Sequence, residues 1–328
     1  MNKITKKITI LGSTGSIGEN TVDIVSRFPD LFQVVALTAN RNVSLLAHQA
    51  KKLNAECAVV ADDNKYLELK QLLSGTDIEV ASGTEALLDA AERNSDLTMA
   101  SIVGVAGLLP TLASIKSGKV IGLANKECLV SAGEIFIKEL DKKGAKIIPV
   151  DSEHNAIFQA FNTSQKNSVR RIILTASGGP FHKFTEYQMK NVTREQAINH
   201  PNWNMGAKIS IDSATMMNKG LEVIEAYYLF PIEKNAIEIL IHPQSIVHSM
   251  VDYFDGSVIA QLGMPDMRTP ISYALSWPNR IETPVPRLEL EKIKELTFEP
   301  PDPVKFPALR ASREALEAGG YAPTILNA

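Results

Sequence analysis

The sequence predicts an α/β protein: a doubly wound parallel sheet over residues 1–150, an α+β domain with a mixed sheet over 151–298, and the start of a helical domain over 299–328. Three observations predict it. Short apolar runs alternate strictly with helical patterns as far as Pro149. Three further apolar runs between Ile237 and Gln261 then follow one another without a long helix between them. Finally, a Pro-rich stretch from Pro300 to Pro307 reads as a linker before another helical pattern.

At 328 residues the chain is too long for one typical core. A net charge of −3 gives no basic face for nucleic acid or an anionic membrane. The two cysteines, Cys57 and Cys128, make no metal or disulfide spacing and suit a reducing cytoplasm. No run approaches the length of a membrane span, and the apolar run at 8–11 is too short for a signal-peptide core. A cytoplasmic, multidomain protein acting on small molecules is expected.

Residues 7–11 read as a strand, and Gly12-Ser13-Thr14-Gly15-Ser16-Ile17-Gly18 follows at once. Residues 19–28 then carry a helical pattern, with Val22, Ile24 and Val25 apolar. A glycine-rich turn between strand and helix lets main-chain amides approach a pyrophosphate, which the helix N-terminus stabilises. Residues 33–38 complete a β-α-β unit, which makes the first domain Rossmann-like. No acid that would hold a ribose 2′-hydroxyl follows that strand; Ala39-Asn40-Arg41-Asn42 stands there, and Arg41 suits a 2′-phosphate. NADP is therefore expected over NAD. The plain alternative is a turn shaped by glycines and a loop cation.

Strands at 57–60, 78–80, 99–103, 120–123 and 145–148 continue the alternation, with helices at 66–73, 85–92 and 107–115. Ala124-Asn125-Lys126-Glu127-Cys128 follows the strand at 120–123, so Lys126 stands at the ligand edge of the sheet, or is a solvated loop lysine.

Pro149-Val150-Asp151-Ser152-Glu153-His154-Asn155 joins a strand to a helix expected over 156–161. Asp151 and Glu153, two residues apart, can converge on one hard divalent cation. The alternative is a helix cap by Asp151 or Ser152 with Glu153 solvated in the first turn. Residues 170–175 form a strand that ends in Ala176-Ser177-Gly178-Gly179, suited to an anion or to a simple tight turn. His200-Pro201-Asn202-Trp203 reads as a lid over substrate or as a partly buried loop anchor.

Residues 208–212 alternate and read as a strand. They lead to a helix at 221–230, before which Ser213, Asn218 and Lys219 are donor types that hold a phosphate monoester. Glu222 offers a third carboxylate; Glu225 shares its helix face, and spacing does not choose between them. His242 and His248 are further candidates, although a histidine at a strand end is more often structural.

The motifs Gly12-Ser-Thr-Gly-Ser-Ile-Gly, Ala124-Asn-Lys-Glu, Pro149-Val-Asp-Ser-Glu-His, Ser177-Gly-Gly-Pro-Phe, His200-Pro-Asn-Trp, Ser213-Ala-Thr-Met-Met-Asn-Lys-Gly-Leu-Glu and His242-Pro-Gln-Ser occur in this order. So arranged, the sequence closely resembles the 1-deoxy-D-xylulose 5-phosphate reductoisomerase family. The resemblance implies reduction and rearrangement of 1-deoxy-D-xylulose 5-phosphate to 2-C-methyl-D-erythritol 4-phosphate, in the non-mevalonate route to isoprenoids. It further implies NADPH, a divalent metal (Mg²⁺, Mn²⁺ or Co²⁺) and a homodimer.

By the same resemblance Asp151, Glu153 and Glu222 hold the metal. Lys126, Glu153 and His200 are catalytic, and Ser152, Ser177, Ser213, Asn218, Lys219 and Glu222 join them in binding substrate. Thr14, Gly15, Ser16, Ile17, Asn40, Arg41, Asn42, Asn125, Glu127 and Gly206 line the NADPH site. Asn40 stands where members commonly have Gly, and Arg41 where Lys is usual. Family members continue past Ala328 through a C-terminal helical domain, so a chain stopping inside that domain, with exposed apolar surface and lower stability, is expected. Two other readings are an NADP-dependent semialdehyde dehydrogenase with Cys128 as nucleophile, and a non-enzymatic NADP-sensing protein.

Overall fold

The computed structural model describes residues 5–117, 120–199 and 206–328; His200 and Trp203, and with them the expected lid, lie outside these. The chain forms two compact units. The first comprises Met1–Cys128, Ala132–Val150 and Met267–Pro284, and the second Leu129–Ser131, Asp151–Asp266 and Val285–Ala328.

In the first unit the strands are β1 (Lys6–Leu11), β2 (Phe32–Ala39), β3 (Cys57–Val60), β4 (Glu79–Ser82), β5 (Leu97–Ala100), β6 (Val120–Leu123) and β7 (Lys146–Pro149). Helices α1 (Ser16–Arg27), α2 (Val43–Leu53), α3 (Tyr66–Leu72), α4 (Gly83–Glu92), α5 (Leu108–Ile115) and α6 (Lys126–Lys143) connect them. The sheet order is β4-β3-β2-β1-β5-β6-β7, with every neighbouring pair parallel. Parallel strands covered on both faces are buried almost continuously; Ile8, Ile10, Leu37, Val59, Met99 and Ile121 are at most 1% exposed. Chain order reverses between β1 and β5, and ligands bind outside the strand ends at such a switch point. This is the Rossmann-like sheet the alternation predicts.

The second unit contains α7 (Ser152–Ala160), β8 (Val169–Ala176), α8 (Glu186–Met189), α9 (Arg194–Ile198), α10 (Ala207–Ala214), α11 (Met217–Leu229), β9 (Ile237–Ile241), β10 (Val247–Tyr253) and β11 (Val258–Leu262). After α12 (Arg268–Ser276), which belongs to the first unit, come α13 (Leu290–Ile293), α14 (Pro307–Ala318) and α15 (Ala322–Asn327). Its sheet runs β11-β10-β8-β9, with β8 and β9 parallel and the other pairs antiparallel, a mixed sheet as expected. A core of Ile157, Ile172, Leu174, Leu221, Ile224, Ile237 and Val251 joins α7 and α11 to that sheet.

Several elements differ from the sequence reading. Residues 208–212, expected as a strand, lie inside α10. Their alternation is coincidental: Lys208 pairs with Asp212 one helical turn away at 2.8 Å, and Ile211 packs with Phe181, Ala197 and Ala214. The strand expected over 99–103 is Leu97–Ala100, and Val103 is 81% exposed. Helices α2, α6 and α12 are not placed by the sequence reading, although Asn42 and Asn125 cap the first two and Gly144 ends α6. In α12, Pro270 sits in the first turn, where the missing N–H has no intrahelical acceptor to lose, so a residue read as punctuation is compatible with a helix. That helix places the Leu275 and Trp277 carbonyls 2.8 and 3.1 Å from Lys6 Nζ.

Candidate active site

The first unit carries a turn suited to a dinucleotide. Gly12 has a φ of +80°, a left-handed conformation that favours glycine, and its N–H donates to Thr38 Oγ1 at 2.9 Å. Ser13 N–H donates to the Thr38 carbonyl at 2.8 Å, which ties the turn to β2. A Cβ on Gly18 would overlap the Gly12 carbonyl, so glycine there lets α1 pack against the turn. The expected cofactor residues Thr14, Gly15, Ser16 and Ile17 all sit here, and α1 begins at Ser16 with no side-chain cap from Gly15. The first N–H groups of that helix are thus left for another acceptor.

Asn40, Arg41 and Asn42 are exposed after β2, as expected. Two of them have roles the sequence did not reveal. Asn42 caps α2, its Oδ1 accepting from Leu45 N–H at 3.2 Å. Arg41 Nε lies 2.9 Å from Asp62 Oδ2, an acid supplied from beyond β3. Hydrogen bonds from Asn64, and secondarily Arg41, hold the Asp62 carboxyl below the usual carboxylate range.

Asn125 is buried and caps α6, accepting from Cys128 N–H at 3.3 Å. Its amide also donates to the carbonyls of Ile102 and Gly104 at 2.5 and 2.8 Å, so it braces the loop after β5. Lys126, 7% exposed, is the first residue of α6 and not a solvated loop lysine; Glu127 follows it in the first turn. Cys128 is 1% exposed with its sulfur 3.9 Å from Thr111 Oγ1. A nucleophile must reach its substrate, so this burial removes the residue on which the semialdehyde dehydrogenase reading depended.

The second unit gathers carboxylates. Its α7 begins at Ser152, four residues before the expected start, which puts Ser152 and Glu153 in the first helical turn. Asp151 takes the N-cap position but its side chain makes no capping bond, so the bland alternative for this acid is not realised. Oxygen atoms of Asp151, Glu153 and Glu222 all lie within 4.8 Å of one another.

Lys219 Nζ bridges two of them, 2.7 Å from Glu153 Oε1 and 2.5 Å from Glu222 Oε2. Asn218 Nδ2 donates to Glu222 Oε1 at 2.5 Å, and Ser152 Oγ donates to Glu153 Oε2 at 2.5 Å. Asn218 and Lys219, expected at the substrate phosphate, are therefore turned onto the carboxylates. Burial, then the Glu222 charge, pushes the Glu153 carboxyl up. Burial alone would lower Lys219, but the Glu153 and Glu222 carboxylates outweigh it and hold the ammonium above its ordinary value.

Glu225, the alternative to Glu222, turns its Oε2 to within 3.1 Å of His154 Nδ1. Asp151 also lies within 4.8 Å of His154 and Glu225, a second grouping the sequence reading missed. Ser177 accepts from Gly179 N–H at 3.1 Å in a turn where Gly178 and Gly179 both have positive φ. Gly179 packs against the main chain of Ser213, so the turn that follows Ser177 meets the end of α10. Gly206 precedes α10 and is exposed.

His248 is buried in β10, and that burial lowers its imidazole, with the Glu153 charge acting against it. His242 is a structural histidine: its Nδ1 meets the Thr297 carbonyl at 2.8 Å and its Nε2 accepts from Ile246 N–H at 3.2 Å.

Three carboxylates against one ammonium leave two negative charges when all are ionised, and every donor is a hard oxygen. The set fits one divalent cation of the Mg²⁺ or Mn²⁺ type. Among the described residues no helix is long and apolar enough to cross a membrane.

Comparison with known proteins agrees with this geometry. Residues 8–133 match the family model for 1-deoxy-D-xylulose 5-phosphate reductoisomerase, residues 147–230 its C-terminal domain model, and residues 262–328 a further DXP reductoisomerase C-terminal domain model. The chain is 56% identical to the reductoisomerase of Rhodospirillum centenum over 323 residues, 98% of this chain and 80% of that protein. Identity to the Zymomonas mobilis enzyme is 55%, over 98% of this chain and 83% of that one.

The solved Zymomonas mobilis reductoisomerase in complex with NADPH superposes with a TM-score of 0.95 at 52% identity, covering 99% of this chain and 84% of that one. A DOX-P reductoisomerase in complex with NADPH, fosmidomycin and magnesium gives 0.94 at 44% identity, covering 98% and 82%. With matches along most of its length and a shared two-sheet fold, the chain belongs to the 1-deoxy-D-xylulose 5-phosphate reductoisomerase family.

Proposed function

We propose that this chain rearranges and reduces 1-deoxy-D-xylulose 5-phosphate to 2-C-methyl-D-erythritol 4-phosphate with NADPH and a divalent metal. The observation that carries it is the convergence of Asp151, Glu153 and Glu222 in a chain that also holds a dinucleotide turn. NADPH supplies the hydride, and the metal supplies an electrophile for negative charge that builds on substrate oxygens.

Each unit has its own task. In the first, the turn at Thr14–Ile17 receives the pyrophosphate, with Asn125 and Glu127 at the same sheet edge. Arg41 receives the 2′-phosphate by exchanging its Asp62 partner. Lys126 presents an ammonium to substrate oxygens. In the second unit Asp151, Glu153 and Glu222 hold the metal. Ser177 and Ser213 take the substrate phosphate, a reading supported by the contact of the Gly179 turn with the Ser213 main chain. Asn218 and Lys219, which face the carboxylates, are further donors for that phosphate. His200 binds the same phosphate end, and binding there positions the distant reacting carbons.

The enzyme works as a homodimer through the edge strand β11. Val258 and Ile259 on that strand are 52% and 48% exposed, and Phe254 beside it is 71% exposed. An apolar edge of this kind pairs readily with another chain. A monomer by analytical ultracentrifugation at micromolar concentration would overturn the dimer.

The activity is tested by NADPH oxidation with 1-deoxy-D-xylulose 5-phosphate, with and without Mn²⁺, for the wild type and Glu222→Gln. Metal-dependent turnover that falls on the order of 10²- to 10³-fold in the variant is expected, the range for removing one preorganised electrostatic group. Unchanged turnover in Glu222→Gln removes Glu222 from the ligand set, and no turnover by the wild type removes the activity.

A further inference from the structure

His154, on α7, is wholly buried and meets α11 through both ring nitrogens. Its Nε2 lies 2.9 Å from the main-chain oxygen of Glu222; that oxygen can only accept, so Nε2 is the donor. Its Nδ1 faces Glu225 Oε2 at 3.1 Å, and Glu225 is 1% exposed. The ring stacks on Phe230 with centroids 6.5 Å apart, and Phe230 stacks in turn on Phe161 at 5.9 Å. Ring and carbonyl thus form one buried link from α7 to the backbone of Glu222, with Glu225 and Asp151 within 4.8 Å of the ring.

A second link between α7 and α11 is the Lys219 bridge from Glu153 to Glu222. The two links respond differently to a cation. The Lys219 ammonium neutralises the same carboxylates that a divalent ion would take, and two cations there repel each other. The His154 bond touches no ligand oxygen and survives that exchange. It fixes the backbone from which the Glu222 carboxylate projects, relative to the helix that carries Glu153.

We propose that His154 is a positioning residue of the metal centre: its Nε2–H ties the Glu222 backbone to α7, and that tie holds the Glu153 and Glu222 carboxylates ready for a divalent cation. The proposal rests on the ligand set given above. Groups that orient metal ligands without touching the metal typically contribute 10- to 100-fold in affinity.

The test is Mn²⁺ titration of the full chain without substrate, read by the electron paramagnetic resonance signal of free Mn²⁺. His154→Asn places its amide near the former Nδ1 and loses the bond to Glu222. His154→Gln reaches the former Nε2 and keeps it. Mn²⁺ binding weakened roughly 10- to 100-fold in His154→Asn, but close to wild type in His154→Gln, is expected. Equal affinities in the two variants would overturn the proposal.

Phe230→Leu loosens the ring packing without touching either polar contact, and is expected to lower Tm while leaving Mn²⁺ affinity unchanged. If it weakens Mn²⁺ as much as His154→Asn does, the effect is general loosening and the proposal falls. An imidazole nitrogen coupling to bound Mn²⁺, present in wild type and lost in His154→Gln, would make His154 a ligand and also overturn it. Failure of the ligand set itself looks different: wild type would then bind no Mn²⁺, or Glu222→Gln would bind it as tightly as wild type.

Discussion

The nucleotide turn of the first unit is built mostly from main chain, whereas the carboxylate centre of the second is built from buried charged side chains. At the turn, Gly12, Ser13 and Gly15 make their bonds through main-chain groups, and Gly15 and Ser16 are exposed. At the centre, Glu222 is 0% and Lys219 3% exposed, and each holds the other's charge. A main-chain site loses little folding energy when a neighbouring side chain changes. A buried charge cluster behaves otherwise, because removing one member leaves the rest uncompensated in a medium that solvates them poorly.

Lys219→Met is the change expected to show this most clearly. It leaves the Glu153 and Glu222 carboxylates facing each other without a cation, and breaking a buried pair in this way costs about 3–5 kcal/mol. Urea unfolding of the variant measures that loss in metal-free buffer. Added Mn²⁺ should restore part of it, since an ion that binds only the folded state stabilises by mass action. A loss below about 1 kcal/mol, the value of an exposed pair, would mean that the carboxylates relax into water and that the two sites are less different than they look.

The same difference governs how far each region is legible in the sequence. Main-chain sites need particular backbone shapes, and glycine spacing announces those. The turn at 12–18, the alternation behind the parallel sheet and the exposed loop at 40–42 are therefore readable. Side-chain clusters form between elements distant in sequence, and spacing alone left Glu222 and Glu225 equivalent. The structure separates them by partner: Glu225 lies beside His154, Glu222 beside Glu153, and Asp151 lies within 4.8 Å of both groups.

Asp62 was missed for a related reason, because it reaches Arg41 from the end of another strand. Residues 208–212 failed differently. Five alternating residues fit a strand, but no neighbouring strand takes them, and a Lys–Asp pair one turn apart suits the helix they form.

Arg41→Ala is the change expected to matter least for folding while still reporting on the site. Arg41 is 76% exposed, so its pairing with Asp62 contributes little to stability and Tm should not move. Nucleotide choice should move. A charge-assisted contact to the 2′-phosphate corresponds to roughly a 10- to 100-fold preference for NADPH over NADH, and the ratio of kcat/KM for the two cofactors measures it.

Asp62→Asn sharpens the point from the other side. The carboxylate is held ionised by Asn64 and Arg41, so it both competes for the guanidinium and repels an incoming phosphate. Its removal should raise the preference for NADPH, again without a change in Tm. If Arg41→Ala leaves the cofactor ratio untouched, the 2′-phosphate is read by something else, and the exposed loop after β2 is only the cap of α2 that Asn42 makes it.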